Sequence, residues 1–385
     1  MSRLEQLINE LCPNGVEYRK LEKCCNILDR QRKPVTKSAR ETGEYPYYGA
    51  NGIQDYVSDY IFDGTFVLVG EDGSVITKNG NPVVTWAQGK IWVNNHAHII
   101  GEIDGVLLRY LYHFIQTVDV TSLIHGNIPK LTGGDFKTIP IPLPPLPVQE
   151  EIVRILDNFT ELTAELTAEL TARKKQYEYY RNSLLSESEL CTDGVEYRKI
   201  KDCFQRLRGT AITAGKMKEI ECEAGEIRVF AGGKTVVNAN EKDIPNANII
   251  RVPAVFVQSR GVIDVIYIEK PFTFKNEMWA YTHSEKTTVK YLFYFLKNNI
   301  QQFRSSASGM GSLPQISLPV TEDFLIPIPP LKEQERIVAI LDKFDTLTTS
   351  ISEGLPAEIE ARKQQYEYYR DNLLNFEKID TEVLI

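Results

Sequence analysis

The sequence lacks the motifs that mark most enzymes, metalloproteins and membrane proteins. Its five histidines and six cysteines form no C-x-x-C pair and no cluster with zinc-ligand spacing. It has no phosphate-binding loop, nucleophile elbow or dinucleotide-binding glycine pattern. No apolar run reaches the roughly 18 residues that span a bilayer, and the charged N-terminus is unlike a signal peptide. We therefore expect a cytoplasmic, non-catalytic chain with reduced cysteines and no bound metal or cofactor.

What the sequence does contain is a long internal repeat. Three phrases occur twice in the same order, about half a chain apart, and they enclose a long block whose polar residues differ between the copies. The pairs are "LCPNGVEYRKLEKC" from Leu11 with "LCTDGVEYRKIKDC" from Leu190, "IPIPLPPLPVQEEIVRILDNF" from Ile139 with "IPIPPLKEQERIVAILDKF" from Ile326, and "RKKQYEYYRNSLL" from Arg173 with "RKQQYEYYRDNLL" from Arg362. Each half thus has an opening segment, a variable block, a proline-rich hinge and a helix.

The helical prediction follows from apolar residues spaced three and four apart after each hinge. The first copy has neither glycine nor proline from Glu150 to Leu185, which predicts a rod of roughly 50 Å. In the second copy, Gly354 and Pro356 should bend or break the rod. The two apolar stripes favour an antiparallel helix pair. The alternative is that each helix covers only its own domain.

The variable blocks share an apolar skeleton of short segments, with Asp72-Gly73 and Asn79-Gly80 as turn signals, which predicts β-rich domains. The expected fold class is α+β, with two similar β-rich domains separated by two long helices. The predicted parts are an N-terminal segment (1–17), a first variable domain (18–145), a central helix (146–189), a second variable domain (190–326) and a distal helix with its tail (327–385).

Charge is distributed unevenly along this plan. The net charge is −8, yet residues 18–145 carry 13 Lys/Arg and 13 Asp/Glu, and residues 197–325 carry 18 against 13. The excess acid therefore lies mostly in the helical segments. Acidic helices suit protein partners or solvent, whereas the variable domains tolerate a polyanion. If the chain binds DNA, a partner should supply part of the positive charge.

Two short motifs are candidate chemical sites. His96 and His98 would lie on one face of a strand, as a metal pair requires, but no third ligand follows at a recognisable spacing. Ordinary strand residues or base contacts are therefore favoured over a metal. "GEDGS" from Gly70 offers two carboxylates, but its counterpart "VQSRG" has none, so the two halves do not share chemistry there.

The duplicated hinge, the helix starts "QEEIVRILDNF" and "EQERIVAILDKF", and the tyrosine-rich phrase resemble the specificity (S) subunit of Type I restriction–modification systems. "TELTAELTAELTAR" from Thr160 resembles the short tandem repeat of the subfamily called IC. The resemblance covers nearly the whole chain and is weakest in the variable blocks.

The resemblance implies a subunit without enzymatic activity. Each variable block would be a target recognition domain that reads one half of a split double-stranded DNA sequence. The helices would hold the two domains apart and dock two modification subunits, which bind S-adenosylmethionine and methylate adenine. Restriction subunits would complete a nuclease. In the resembled subfamily the number of "TAEL" units sets the spacer, here expected to be roughly 6–7 base pairs.

Candidate DNA-reading residues are those whose side chains can donate to or accept from base edges and that lie on segments where the halves differ. They are Asn51, Lys78, Asn79, Gln88, Lys90 and Lys130 in the first block, and Arg206, Arg208, Lys234, Arg260, Lys275 and Gln315 in the second. The flexible run "SSASGMG" from Ser305 is a further candidate for backbone contact. The candidate partner-binding residues are Tyr177, Tyr180, Tyr366 and Tyr369, which the sequence places at a partner interface or in the helix-pair core.

Two other classes of function remain open. One is a hydrolase or transferase whose site is scattered through the variable blocks. The other is a coiled-coil adaptor with two protein-binding heads and no DNA specificity.

Overall fold

The repeated opening segments and hinges pair with each other in space. In a computed structural model, which describes residues 2–73, 75–190, 195–308 and 313–379, strand β1 (Glu17–Lys20) pairs antiparallel with β10 (Pro140–Leu143). In the same way β11 (Tyr197–Lys199) pairs with β19 (Leu325–Pro327). Such isolated two-stranded ladders tolerate proline, which cannot donate to a ladder. Each ladder joins the two ends of a variable block.

The chain divides into two units, and the first contains residues 1–167 and 358–385. Its main sheet has six strands in the order β2-β7-β5-β6-β3-β4. The elements of its variable block, with the helix before it, are α1 (Arg3–Leu11), β2 (Asn26–Ile27), β3 (Thr42–Gly49), β4 (Gly52–Val57), β5 (Phe62–Gly70), β6 (Val84–Val93), β7 (Ala97–Gly101), α2 (Leu108–Ile115), β8 (Ile124–His125), β9 (Lys130–Leu131) and α3 (Gly133–Thr138). The core lies between this sheet, α2 and the start of the following long helix.

The second unit contains residues 168–357 and repeats the plan with two smaller sheets. Their strand orders are β12-β18-β15-β16 and β14-β13-β17. The elements are α5 (Glu187–Leu190), α6 (Ile200–Cys203), β12 (Gln205–Arg208), α7 (Ala214–Glu219), β13 (Ile227–Phe230), β14 (Val236–Ala239), β15 (Ala254–Gln258), β16 (Asp264–Ile268), β17 (Phe272–Phe274), β18 (Trp279–Thr282), α8 (Lys286–Asn298), α9 (Ile300–Ser305) and α10 (Leu318–Glu322). The predicted α+β class is confirmed.

The long helices follow the sequence pattern closely. Helix α4 runs from Leu146 to Leu184, so it begins at the first residue of the predicted central helix (146–189), with a proline in its first turn, where proline is tolerated. The second copy is broken, as predicted, into α11 (Leu331–Thr349) and α12 (Leu355–Leu373). At Gly354 a β-carbon would lie 2.3 Å from the carbonyl oxygen of Thr346, so only glycine fits the tight turn. None of the described helices is both long and apolar enough to cross a bilayer.

Within each unit, the tyrosine phrase of one copy packs against the helix start of the other. In the first unit Tyr369 stacks on Phe159, with 5.2 Å between ring centroids. In the second unit Tyr177 and Tyr180 stack on Phe344 at 5.9 and 5.5 Å. The two helices of the second unit run antiparallel, because Phe344 in α11 meets Tyr177 and Tyr180, whereas the earlier Arg336 pairs at 3.3 Å with Glu189, which follows α4. The helices therefore pair with each other and also cover the cores of their own domains. Both of the arrangements that the sequence left open are present.

In each unit a carboxylate on a long helix binds side chains of the helix in the variable block, which is α2 in the first unit and α8 in the second. In the first unit Arg109 Nε and His113 Nε2 each lie 2.8 Å from Asp157 Oδ1, and His113 Nδ1 lies 2.9 Å from the hydroxyl of Tyr366. In the second unit Lys290 Nζ donates to Asp342 at 2.8 Å, and Tyr294 donates to the same carboxylate at 2.5 Å. We call these two arrangements the carboxylate nodes.

The protonation of the first node follows from its partners. Burial lowers the pKa of His113, so the ring is neutral near pH 7. An ionised Asp157 can only accept, so His113 Nε2 carries the proton and Nδ1 accepts from Tyr366. Burial works to raise the pKa of Asp157, but its bonds from His113 and Arg109 outweigh that effect and lower it. Burial also raises the pKa of Tyr366 to about 12, which keeps its hydroxyl a donor.

We expect the substitution Asp157→Ala to destabilise the attachment of α2 by about 2–3 kcal/mol. The substitution removes the acceptor of the fully buried His113 and of Arg109. The expected loss of stability is smaller than for a fully buried ion pair because Asp157 is partly exposed. Hydrogen exchange of the α2 amides is the measurement, because a two-unit chain need not unfold in one step. The control is Asn158→Ala at an exposed neighbour, expected to change stability by less than about 0.5 kcal/mol. Equal exchange rates in both variants would show that the node does not hold the helix.

Candidate nucleic-acid interface

The predicted residues of the first unit are all exposed, and they are divided among four places in the fold. Asn51 is in the turn between β3 and β4, Lys78 and Asn79 are in a turn before β6, Gln88 and Lys90 are on β6, and Lys130 is on β9. Lys90 Nζ lies 4.7 Å from the ring centroid of Tyr60, and Lys130 Nζ lies 3.3 Å from Glu71. The structure therefore leaves their reading role as a prediction.

The predicted residues of the second unit are more closely grouped. Arg260 Nε donates to Gln315 Oε1 at 3.0 Å, and Arg260 and Lys275 line the same cavity of about 400 Å³ with Gly232 and Gly233. Lys234 follows those glycines directly. Four of the predicted residues therefore stand on segments that lie near one another in the second unit.

The remaining second-unit candidates lie on a strand beside this group. Arg206 and Arg208 are exposed on β12, and Arg206 pairs with Glu322 at 3.0 Å, which reduces its availability for DNA. In the run "SSASGMG", the residues after Ser308 lie outside the described part of the chain.

The two histidines of the candidate metal pair do not share a strand face. His96 lies in the turn before β7 and pairs with Asp72, whereas His98 is buried in β7. Strand β7 begins at Ala97, after His96, so the alternation of side chains along a strand does not apply to His96. The expectation that both rings lie on one strand face was wrong.

His98 does meet two carboxylates, Asp29 and Glu71, within 4.8 Å, a grouping that sequence spacing did not reveal. Arg32 Nη1 and Lys130 Nζ lie 2.5 and 3.3 Å from the two oxygens of Glu71. His98 Nε2 donates to the carbonyl of Leu131 at 3.0 Å, and Nδ1 lies 2.6 Å from Asp29. The cluster is thus an ion network in which the cations compensate the carboxylates, and it ties three loops together.

A basic segment that sequence reasoning missed runs from residue 29 to 40, "DRQRKPVTKSAR". It carries five Lys/Arg and one carboxylate. Arg30, Lys33 and Lys37 are exposed, and within the described residues none of them has an ion pair. The count over the whole block, 13 against 13, concealed this local excess; a window of twelve residues would have found it.

The basic segment is held firmly although it has little regular structure. Trp92 donates to the carbonyl of Lys33 at 2.7 Å, and the Val35 amide donates to the hydroxyl of Tyr47 at 3.0 Å. Arg32 donates to the carbonyl of Ala97 at 2.8 Å as well as to Glu71, and Arg40 lies over the Tyr47 ring at 4.1 Å. Buried anchors thus alternate with outward cations, an arrangement suited to binding an anionic backbone without reordering.

Each of the four predicted partner-binding tyrosines is partly buried within its own unit. Tyr177 and Tyr366 are half-buried in their units, and Tyr180 and Tyr369 are about 40% exposed. The most exposed tyrosine of each phrase is a different one, Tyr179 at 69% and its counterpart Tyr368 at 66%. A role for the four in binding a partner stays a prediction.

Comparison with known proteins agrees with this architecture. The sequence model of the Type I restriction modification DNA specificity domain matches residues 13–173 and again residues 192–361. A putative type I restriction enzyme specificity subunit of Haemophilus influenzae is 38% identical over 94% of this chain and 96% of its own length. The specificity subunit of the type I restriction enzyme EcoR124I/EcoR124II of Escherichia coli is 38% identical over 71% of this chain and 72% of its own length.

Comparison with solved structures also finds a protein with a similar fold. The crystal structure of a Type I restriction–modification S subunit from M. genitalium superposes with a TM-score of 0.62 and covers 94% of this chain and 97% of its own. At 16% identity, that likeness concerns the fold alone. Two matches to the family domain, two relatives at 38% identity and the doubled frame together establish that this chain belongs to the Type I restriction–modification specificity subunits.

Proposed function

We propose that this non-catalytic specificity subunit reads a bipartite double-stranded DNA target, with one half-site for each unit. The observation that carries the proposal is the repeated frame with two different polar surfaces. The ladders and carboxylate nodes recur in both units, whereas the exposed side chains differ between the variable blocks. One fold with two surfaces suits two half-sites separated by a spacer, which we expect to be roughly 6–7 base pairs.

The chain would act together with two modification subunits, which would bind S-adenosylmethionine and carry out adenine methylation. Tyr179 and Tyr368 support two docking sites, because equivalent residues of the two phrases are left exposed while their neighbours pack inward. Amphipathic tyrosines are common at protein interfaces. Restriction subunits would join the same assembly to make the nuclease.

The proposal is tested by reconstituting the chain with its modification subunit. We expect an assembly with the mass of one chain and two modification subunits, which retains one split DNA sequence against excess competitor DNA. Neither the chain nor the modification subunit alone should methylate DNA specifically. Specific methylation by the isolated chain would favour the enzyme alternative, and assembly without any sequence preference would favour the adaptor.

The basic segment 29–40 gives this proposal an electrostatic test. We expect the triple variant Arg30→Gln, Lys33→Gln and Lys37→Gln to weaken binding to target and non-target DNA alike. The slope of log K against log salt should become shallower by about 2–3, since each phosphate contact contributes about 0.9. Binding isotherms at several salt concentrations provide the measurement.

The matched control neutralises three exposed cations of the same unit outside the segment, Lys20, Lys23 and Lys137. This control should leave the salt slope within about 0.5 of the parent value. Equal slopes in the two variants would show that the segment does not follow the phosphates.

A further inference from the structure

Two loop pairs occupy equivalent places in the two units and make the same backbone hydrogen bonds. In the first unit the Leu131 amide donates to the carbonyl of Glu71 at 2.8 Å, and the Gly73 amide donates to that of Pro129 at 3.0 Å. In the second unit the Ile316 amide donates to the carbonyl of Ser259 at 3.0 Å, and the Gly261 amide to that of Pro314 at 2.9 Å. We call them the first loop pair (70–73 with 129–131) and the second loop pair (258–261 with 314–316).

The match extends to backbone conformation and register. Gly73 and Gly261 have φ of +84° and +80°, the left-handed region that favours glycine. One antiparallel bridge joins Asp72 to Lys130, and the equivalent bridge joins Arg260 to Gln315. Two segments that are far apart in the sequence thus meet in the same way twice, which identifies the positions that correspond between the units.

At these matched positions the chemistry is different. The first loop pair presents Asp72 and the half-exposed Lys130, and the second presents the exposed Arg260 and Gln315. An acid therefore stands where the other unit has a guanidinium, and an ammonium stands where it has an amide. A backbone kept constant beneath side chains of different chemistry is what two readers of different sequences require.

The loop pairs are supported from beneath, so their side chains can vary without loss of the fold. Glu71 of the first pair is held by Arg32 and the His98 network. In the second pair the Gly233 amide donates to the carbonyl of Arg260 at 2.9 Å, and a β-carbon on Gly261 would lie 2.8 Å from the nitrogen of Gly233. Rigid backbone below outward polar groups lowers the ordering cost of base recognition.

We propose that the two loop pairs are the equivalent base-reading positions of the two units, an inference that rests on the proposed function. Arg260 donates to Gln315 through Nε, and within the described residues its two terminal nitrogens have no hydrogen-bond or ion-pair partner. Those nitrogens fit the O6 and N7 acceptors of guanine, and the amide of Gln315 fits a neighbouring adenine. In the first unit Lys130, at the position of Gln315, is a donor toward guanine, and Asp72, at the position of Arg260, is an acceptor for a cytosine amino group. Base contact would replace the ion pairs that these two side chains make with Glu71 and His96.

The experiment is methylation mapping of DNA exposed to the chain assembled with its modification subunit. Arg260→Ala should lower methylation of the parental target by about 10- to 100-fold and relax one position of the second half-site. Arg260→Lys keeps the charge but loses the bidentate geometry, so it should relax the same position with general DNA affinity retained. Lys130→Ala should relax the first half-site instead.

The control is Lys270→Ala, which removes an exposed cation of the second unit outside the loop pair and should leave the motif unchanged. An unchanged motif in both Arg260 variants would overturn the proposal, and so would a loss that is uniform over all sequences, which would make Arg260 a phosphate contact. These outcomes leave the proposed function intact. A parent assembly with no sequence preference would instead refute the proposed function itself.

Discussion

Replacement of residues 18–145 by the variable block of another specificity subunit should change one half-site completely and leave the other unchanged. The β1–β10 ladder brings the two ends of this block together, so a new block can be joined at the same points. The second unit forms its own core from residues outside the replaced block. Mapping of methylated adenines before and after the exchange provides the measurement.

The carboxylate node sets the condition under which this exchange should succeed. The incoming block must supply a cation at position 109 and a hydrogen-bonding ring at position 113, because Asp157 and Tyr366 remain in place. The second unit shows that lysine with tyrosine also satisfies the carboxylate. The same block with Leu at positions 109 and 113 is the control, and it should assemble poorly.

If the block that satisfies the node altered both half-sites, that result would contradict separate reading by the two units.

Insertion of one more "TAEL" after Leu170 should lengthen the spacer and leave both half-sites as they are. Four residues add about 6 Å and rotate the helix face by only about 40°, against roughly 3.4 Å for each base pair. The spacer should therefore grow by one base pair, or by two if the helix and the duplex run parallel. Methylation of the original target should fall to background, since its half-sites would then be misplaced.

The structure explains why α4 should tolerate this insertion. Leu162, Leu166 and Leu170 are only half-buried, and none of them belongs to a core cluster of the described residues. The control inserts only Thr-Ala at the same place, which turns the apolar stripe by about 200° and should abolish activity. An active four-residue variant with the parental spacer would show that this helix does not set the distance.

The frame was predictable from the sequence because its signals are local. Periodic apolar residues and the absence of glycine or proline predicted α4, and Gly354 with Pro356 predicted the break between α11 and α12. The repeat itself showed that two similar units exist. What the repeat did not show is which copy completes which unit: Tyr366 bonds to His113, and Tyr177 stacks on Phe344. Such pairings depend on tertiary contacts that no local pattern encodes.

The reading surface was harder to predict, since exposed polar residues leave no periodic signal. Arg260, Lys275 and Gln315 of the second unit proved to lie close together, and all three stand on segments where the two halves differ. The first-unit candidates were scattered, and the basic segment 29–40 was missed because its cations were averaged over the whole block. His98 was found to lie in a buried ion network only through residues 27 to 69 positions away in the chain.

One chain with two units should read two half-sites that lie a constant number of base pairs apart. The most direct test is a genome-wide map of methylated adenines in cells that express the chain with its modification subunit. We expect one motif made of two defined halves of three or four base pairs, separated by a constant, nonspecific spacer of roughly 6–7 base pairs. A single contiguous motif, a spacer of variable length, or specific methylation without this chain would contradict it.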